Sequence, residues 1–177
     1  MEFNIERSIE VLSATPSALR QFLGNMSAEW TGEDPRSEAR NDRWSAYDVI
    51  GHLIHAEETD WIPRAKVILA QGEDITFPPF DRFGHFENSK GRSLANLLDE
   101  FERQRFESLD TLRSWKLTDA QLDLEGKHPE FGAVSLRQLL STWVVHDLTH
   151  IRQIVTTLAS KYGEAVGPWK QYLSILN

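Results

Sequence analysis

Apolar residues recur at spacings of three and four along most of this chain, and polar residues fill the positions between them. Leu139, Trp143, His146, His150, Ile154 and Thr157 follow one another at intervals of four, three, four, four and three, which stacks all six on one helix face. The segment from Val134 to Trp143 leads into this helix, with Ser135 and Gln138 set as a capping box and Gly163 as a stop. A second such face carries Leu94, Leu97, Leu98, Phe101, Leu109 and Leu112, opposite Glu100, Arg103, Glu107 and Asp110, and predicts an amphipathic helix after Ser93. Ser45, with Asp48 three residues on, predicts the start of a long helix through Val49, Ile50, Leu53, Ile54, Trp61 and Val67 to near Leu69, kinked at Pro63. The first helix runs from about Ile5 through Leu12. Past Thr15-Pro16 it continues through Ala18, Leu19, Phe22 and Leu23, as one kinked helix or two short ones.

The connections are polar or rich in Gly and Pro. Gly32 to Asn41 reads as an exposed, solvated loop. Gln71 to Gly91 holds Pro78-Pro79, three glycines and four phenylalanines, and reads as a long crossover able to line or cover a pocket. Thr118 and Gln121 form another capping box before a short helix, and Glu125 to Gly132 turns the chain into the last helix. Four long helices without an alternating strand pattern predict an all-α, four-helix bundle with one long crossover connection, expected as one domain over residues 1–177. Metal sites in this class are built from side chains that project into the core from facing helices.

His146 and His150, four residues apart on an apolar seam, are therefore the leading functional candidates. A lone inward histidine is most often neutral and satisfied by a carbonyl or hydroxyl. Burying an uncompensated polar ring costs about 1–3 kcal/mol, and doing so twice in adjacent turns favours a ligand pair. A metal needs a third protein ligand, and a catalytic site leaves one position open for water or substrate. Periodicity leaves His52, His55, His85 and His128 as candidates for that third ligand.

Composition narrows the chemistry. No cysteine is present, which removes disulfides, thiolate zinc ligands and a catalytic protein thiol, leaves His, Asp and Glu as metal ligands, and predicts a reducing, cytoplasmic setting. Lys and Arg number 19 against 27 Asp and Glu, a formal charge of −8 with dispersed basic residues, so nucleic acid is not expected as a partner. No stretch approaches the ~20 apolar residues of a membrane span, and the segment from Met1 to Glu6 lacks an export signal, so neither a membrane partner nor export is expected. Asn25-Met26-Ser27 matches a glycosylation sequon, which carries no weight without a secretory signal.

The stretch from Trp44 to Leu53, with Glu57, resembles the second helix of the DinB-like superfamily, a group of metal-binding four-helix bundles. The resemblance extends through His146-Asp147-Leu148-Thr149-His150 with Gln153-Ile154, and through Gly167 to Leu173. It implies a three-histidine site on His52, His146 and His150 that binds one divalent ion, zinc or nickel. It also implies a homodimer acting on a small-molecule substrate, by S-transfer to or from a low-molecular-weight thiol or by metal-dependent hydrolysis. Many relatives carry a carboxylate three residues after the helix-two ligand, where this chain has His55.

The other candidates are weighed lower. His55 is expected as a supporting or pocket residue and His85 as a loop residue near solvent. His128 is read as a turn residue or as an acid or base if its loop folds over the bundle end. Glu57 is expected to orient a ligand or to form a surface pair. His146-Asp147-Leu148-Thr149-His150 also resembles a zinc-protease helix with Asp in place of the general-base Glu. No downstream third ligand follows, and no strand is expected before the helix to hold a peptide. No nucleophile elbow or phosphate-binding glycine loop is present. The remaining alternative is a non-catalytic metal-binding or stress-related bundle.

Overall fold

The computed structural model describes residues 1–33, 44–70 and 75–177. Helix α1 (Ile5–Leu23) starts at Asn4, whose side chain accepts the Arg7 N–H, and runs through Pro16 as one helix. Short α2 (Ala28–Thr31) follows. Most of the expected Gly32–Asn41 loop lies outside the described residues. Helix α3 (Ala46–Thr59) opens on the Ser45/Asp48 capping box, with Asp48 Oδ2 accepting the Ser45 N–H at 2.8 Å.

The long second helix read from the sequence is two helices, α3 and α4 (Trp61–Leu69), separated at Asp60. Pro63 has no N–H to offer the Thr59 carbonyl, so the ladder breaks a turn earlier than a kink at Pro63 itself would place it. Asp60 then pairs with Arg64 across the first turn of α4, at 2.9 Å.

The start of the crossover, residues 71–74, lies outside the described residues. Beyond it, Thr76 bridges Lys127 and the chain enters α5 (Gly84–Ser89). Helix α6 (Leu94–Trp115) is capped by Ser93, and α7 (Asp119–Leu122) by the Thr118/Gln121 box.

Where a simple turn was expected, an antiparallel hairpin forms from β1 (Glu125–His128) and β2 (Gly132–Ser135), with Glu125 opposite Ser135. Four-residue strands are too short to show alternation, and two glycines and a His-Pro step mask them. Gly126 lets the hairpin dock, because a Cβ there would lie 2.7 Å from Ile68 and Phe77 atoms. Helix α8 (Leu136–Ser160) begins at once on the Ser135/Gln138 box, and 3-10 turns at Gly167–Tyr172 and Ser174–Leu176 end the chain.

The long helices α1, α3, α6 and α8 pack together as a four-helix bundle. Its core joins Leu23, Ile50, Leu53, Leu97, Phe101 and Ile154 in one cluster and Leu12, Ile68, Phe77, Leu109, Leu136 and Trp143 in another. No helix among the described residues is long and apolar enough to cross a membrane.

Candidate metal centre and its cavity

The α8 face read from the sequence does turn inward: Trp143 and Ile154 are fully buried, and His150 is 9% exposed. His52 comes up from α3 to meet it. His146 Nε2 lies 3.1 Å from His52 Nε2 and 3.1 Å from His150 Nε2, and one nitrogen from each ring falls within 4.8 Å of the others. Rings hold the imidazoles in place. Trp44 stacks on His150 at 6.3 Å and 15°, and Trp61 meets His146 edge-on at 5.0 Å.

The donor set fits a cation. Gln153 Oε1 sits 2.7 Å from His150 Nδ1; an amide oxygen only accepts, so the His150 proton is on Nδ1 and its Nε2 carries a lone pair. A single proton on His146 Nε2 can be donated to only one of that atom's two neighbours and leaves the other contact without a hydrogen bond. A divalent ion satisfies all three nitrogens at once, in a site that accepts neutral imidazole.

Electrostatics agree. Burial, reinforced by the other histidines, pushes the His52 pKa down to about 2, and burial with His150 pushes His146 down to about 3. Burial also lowers His150, against the pull of Gln153 and Asp147. All three are therefore neutral at pH 7.

The three histidines border a cavity of about 470 Å³ walled by Trp44, Trp61, Phe77, Phe80, Phe83 and Phe131, with Asp60, Arg64, Arg82, His128, Gln138, Thr142, Gln153 and a few aliphatic atoms. The crossover and the hairpin thus both contribute wall. An apolar cavity with a few convergent polar groups is the usual form of a small-molecule site.

The other sequence candidates are dispersed. His55 is buried one turn beyond His52, against Phe80 at 5.2 Å and under Gly84, where a Cβ would sit 3.1 Å from its ring. His85 is not near solvent: it is fully buried on α5, 4.6 Å from Trp44, because α5 folds the crossover back onto α3. His128 ends β1 and reaches the cavity.

Glu57 is no surface pair. It is 4% exposed, lies 2.7 Å from Arg105 Nη2 and accepts the Trp143 indole N–H at 3.0 Å. Burial raises its pKa, with Arg105 pulling the other way. Arg105, fully buried on α6, also forks onto both Asp147 oxygens and donates to the Leu12 carbonyl at 3.0 Å. Burial alone would lower the Arg105 pKa, and the two carboxylates more than reverse that.

Sequence reasoning missed this cluster, although a signal existed. Arg105 sits four residues from both Phe101 and Leu109, on the apolar face of α6, where an unpaired charge could not stay. Asp147, the protease-like base position, is fully buried against Arg105 and does not line the cavity. The hairpin does supply a strand before α8, so that objection to the protease reading falls, but the orientation of Asp147 removes the base the reading needs.

The sequence profile of the DinB superfamily matches residues 12–154. The chain belongs to the DinB superfamily. Among solved structures this DinB-superfamily chain is similar to YfiT from Bacillus subtilis, described as a "probable metal-dependent hydrolase with an unusual four-helix bundle topology". The two share 24% identity and a TM-score of 0.72, over 92% of this chain and 94% of that one, a likeness that establishes the fold. No curated protein sequence matches.

Proposed function

We propose that this DinB-superfamily protein binds one divalent ion, zinc or nickel, through His52, His146 and His150, and uses it to act on a small molecule in the adjoining cavity. The observation that carries this reading is the convergence of three neutral imidazole nitrogens on the wall of an aromatic cavity. The description of YfiT supports it. An ion held there supplies Lewis acidity and lowers the pKa of a water or thiol that joins it.

The residues of the chain do the rest. Gln153 fixes the His150 tautomer, the Trp44 and Trp61 rings keep the imidazoles from turning, and the phenylalanines exclude water from a bound apolar group. Two reactions fit: hydrolysis, and S-transfer involving a low-molecular-weight thiol, which suits a chain without cysteine of its own. A cytoplasmic homodimer belongs to the same proposal and is checked by sedimentation and fractionation.

Elemental analysis of protein purified without an affinity tag tests the site, comparing the parent with His52→Ala and His150→Ala. Roughly one ion per chain, lost in both variants while helicity persists, supports an open site and directs screening to hydrolysis and thiol transfer. Unfolding on metal removal would favour a non-catalytic structural ion. A parent that takes up neither zinc nor nickel would overturn the proposal.

A further inference from the structure

His128 ends β1 at the hairpin turn and is one of the residues that line the cavity. Its Nδ1 accepts the backbone N–H of Glu130 at 3.1 Å and of Phe131 at 3.3 Å. A ring nitrogen that accepts carries no hydrogen, so the proton of the neutral imidazole sits on Nε2. The ring is also fixed in orientation, stacked on Phe131 at 4.4 Å and 13° and edge-on to Phe77 at 6.4 Å and 84°. Its Nε2–H has no acceptor among the described residues.

The neighbouring wall has the same polarity. Arg64 holds its guanidinium 5.4 Å from the Phe77 centroid and donates to the Pro78 carbonyl at 3.2 Å, while Asp60, the carboxylate on this wall, is engaged by Arg64. His128 and Arg64 therefore present donors beside aromatic faces. Burial, and then the Arg64 charge, lower the His128 pKa, which keeps the ring neutral at pH 7.

We propose that His128 is a ligand-binding residue whose Nε2–H donates to an oxygen acceptor, a carboxylate or carbonyl, on a small molecule whose apolar body lies among the cavity's aromatic rings. The inference rests on the reading of this cavity as the substrate site and adds the class of ligand it takes. The same tautomer cannot act as a general base through Nε2, because that nitrogen already holds the proton.

The test uses metal-free protein, so that its outcome is independent of the metal content measured above. Ring ¹⁵N spectra of the parent at pH 7 report the His128 tautomer, and titrations with phenylacetate and with 2-phenylethylamine report binding. His128→Asn keeps an acceptor for the loop N–H groups, and His128→Phe keeps the stacked ring. The expected result is an Nε2–H tautomer, with phenylacetate binding about tenfold or more weaker in both variants and 2-phenylethylamine binding unchanged by either. An Nδ1–H tautomer, an absence of phenylacetate binding to the parent, or equal phenylacetate affinity in all three proteins would overturn it.

Discussion

Arg105 Nη1 donates to the Leu12 carbonyl at 3.0 Å, the acceptor that Pro16 leaves without its helical partner. In an unbroken helix the N–H of residue 16 would serve that carbonyl, and proline has none. The guanidinium of α6 replaces it, which is why α1 runs through Pro16 without being divided. One side chain thus ties α1, α3 and α8 to α6, through Leu12, Glu57 and Asp147.

This relationship is measurable as a coupling. Pro16→Ala restores an N–H for Leu12, so the substitution should help more when Arg105 is absent than when it is present. A double-mutant cycle with Pro16→Ala and Arg105→Met, followed by urea denaturation, should show a coupling of about 1 kcal/mol in that direction. Additivity would mean that the carbonyl is satisfied in some other way.

Arg105→Met alone strands the Glu57 and Asp147 carboxylates in the core. Removing one partner of a buried ion cluster costs about 3–5 kcal/mol, and that loss should appear in the urea midpoint. Adding Glu57→Gln and Asp147→Asn to Arg105→Met should recover part of the loss, since neutral amides are less costly to bury than ions. A triple variant no more stable than Arg105→Met would show that packing, rather than charge, dominates.

The bundle was legible because Leu97, Phe101, Leu109, Trp143 and Ile154 keep helical spacing, and three capping boxes mark helix starts. The pairing of His52 with the α8 histidines was not legible from periodicity, which treats His52 and His55 alike. Their difference lies in packing: His52 meets His146, and His55 turns to Phe80. The hairpin escaped because its docking depends on the bare Gly126 backbone against Phe77 and Ile68, a contact with no local signature. Glu57 read as a ligand-orienting residue or a surface pair, and its buried partners were hidden because they lie 48 and 86 residues away.

Gln153 accepts from His150 Nδ1 at 2.7 Å and so sets which ring nitrogen is free to bind a metal. Gln153→Leu removes that control while leaving the three histidines in place. Groups that orient ligating histidines contribute roughly 10–100-fold in metal affinity, so competition with a chromophoric chelator should show a loss of that size. An unchanged affinity would mean that the cavity walls alone fix the ring.

Acid should loosen the metal-free protein through its buried histidines. His85 has its pKa lowered to about 4, by burial first and then by His55, against an unfolded value of about 6.5. Between those limits the unfolded chain binds a proton that the folded chain refuses. The contribution of His85 is therefore fully present above about pH 6.5 and is lost as pH falls towards 4, at up to ~1.4 kcal/mol per pH unit. Glu57 and Asp60, both raised chiefly by burial, act with the opposite sign, so the parent alone gives a mixed slope. His85→Leu removes one term at similar volume. Urea midpoints of parent and variant, both metal-free, should shift relative to each other as pH drops from 7.5 to 5, the variant gaining on the parent. A constant gap between them would mean that His85 is protonated within the fold.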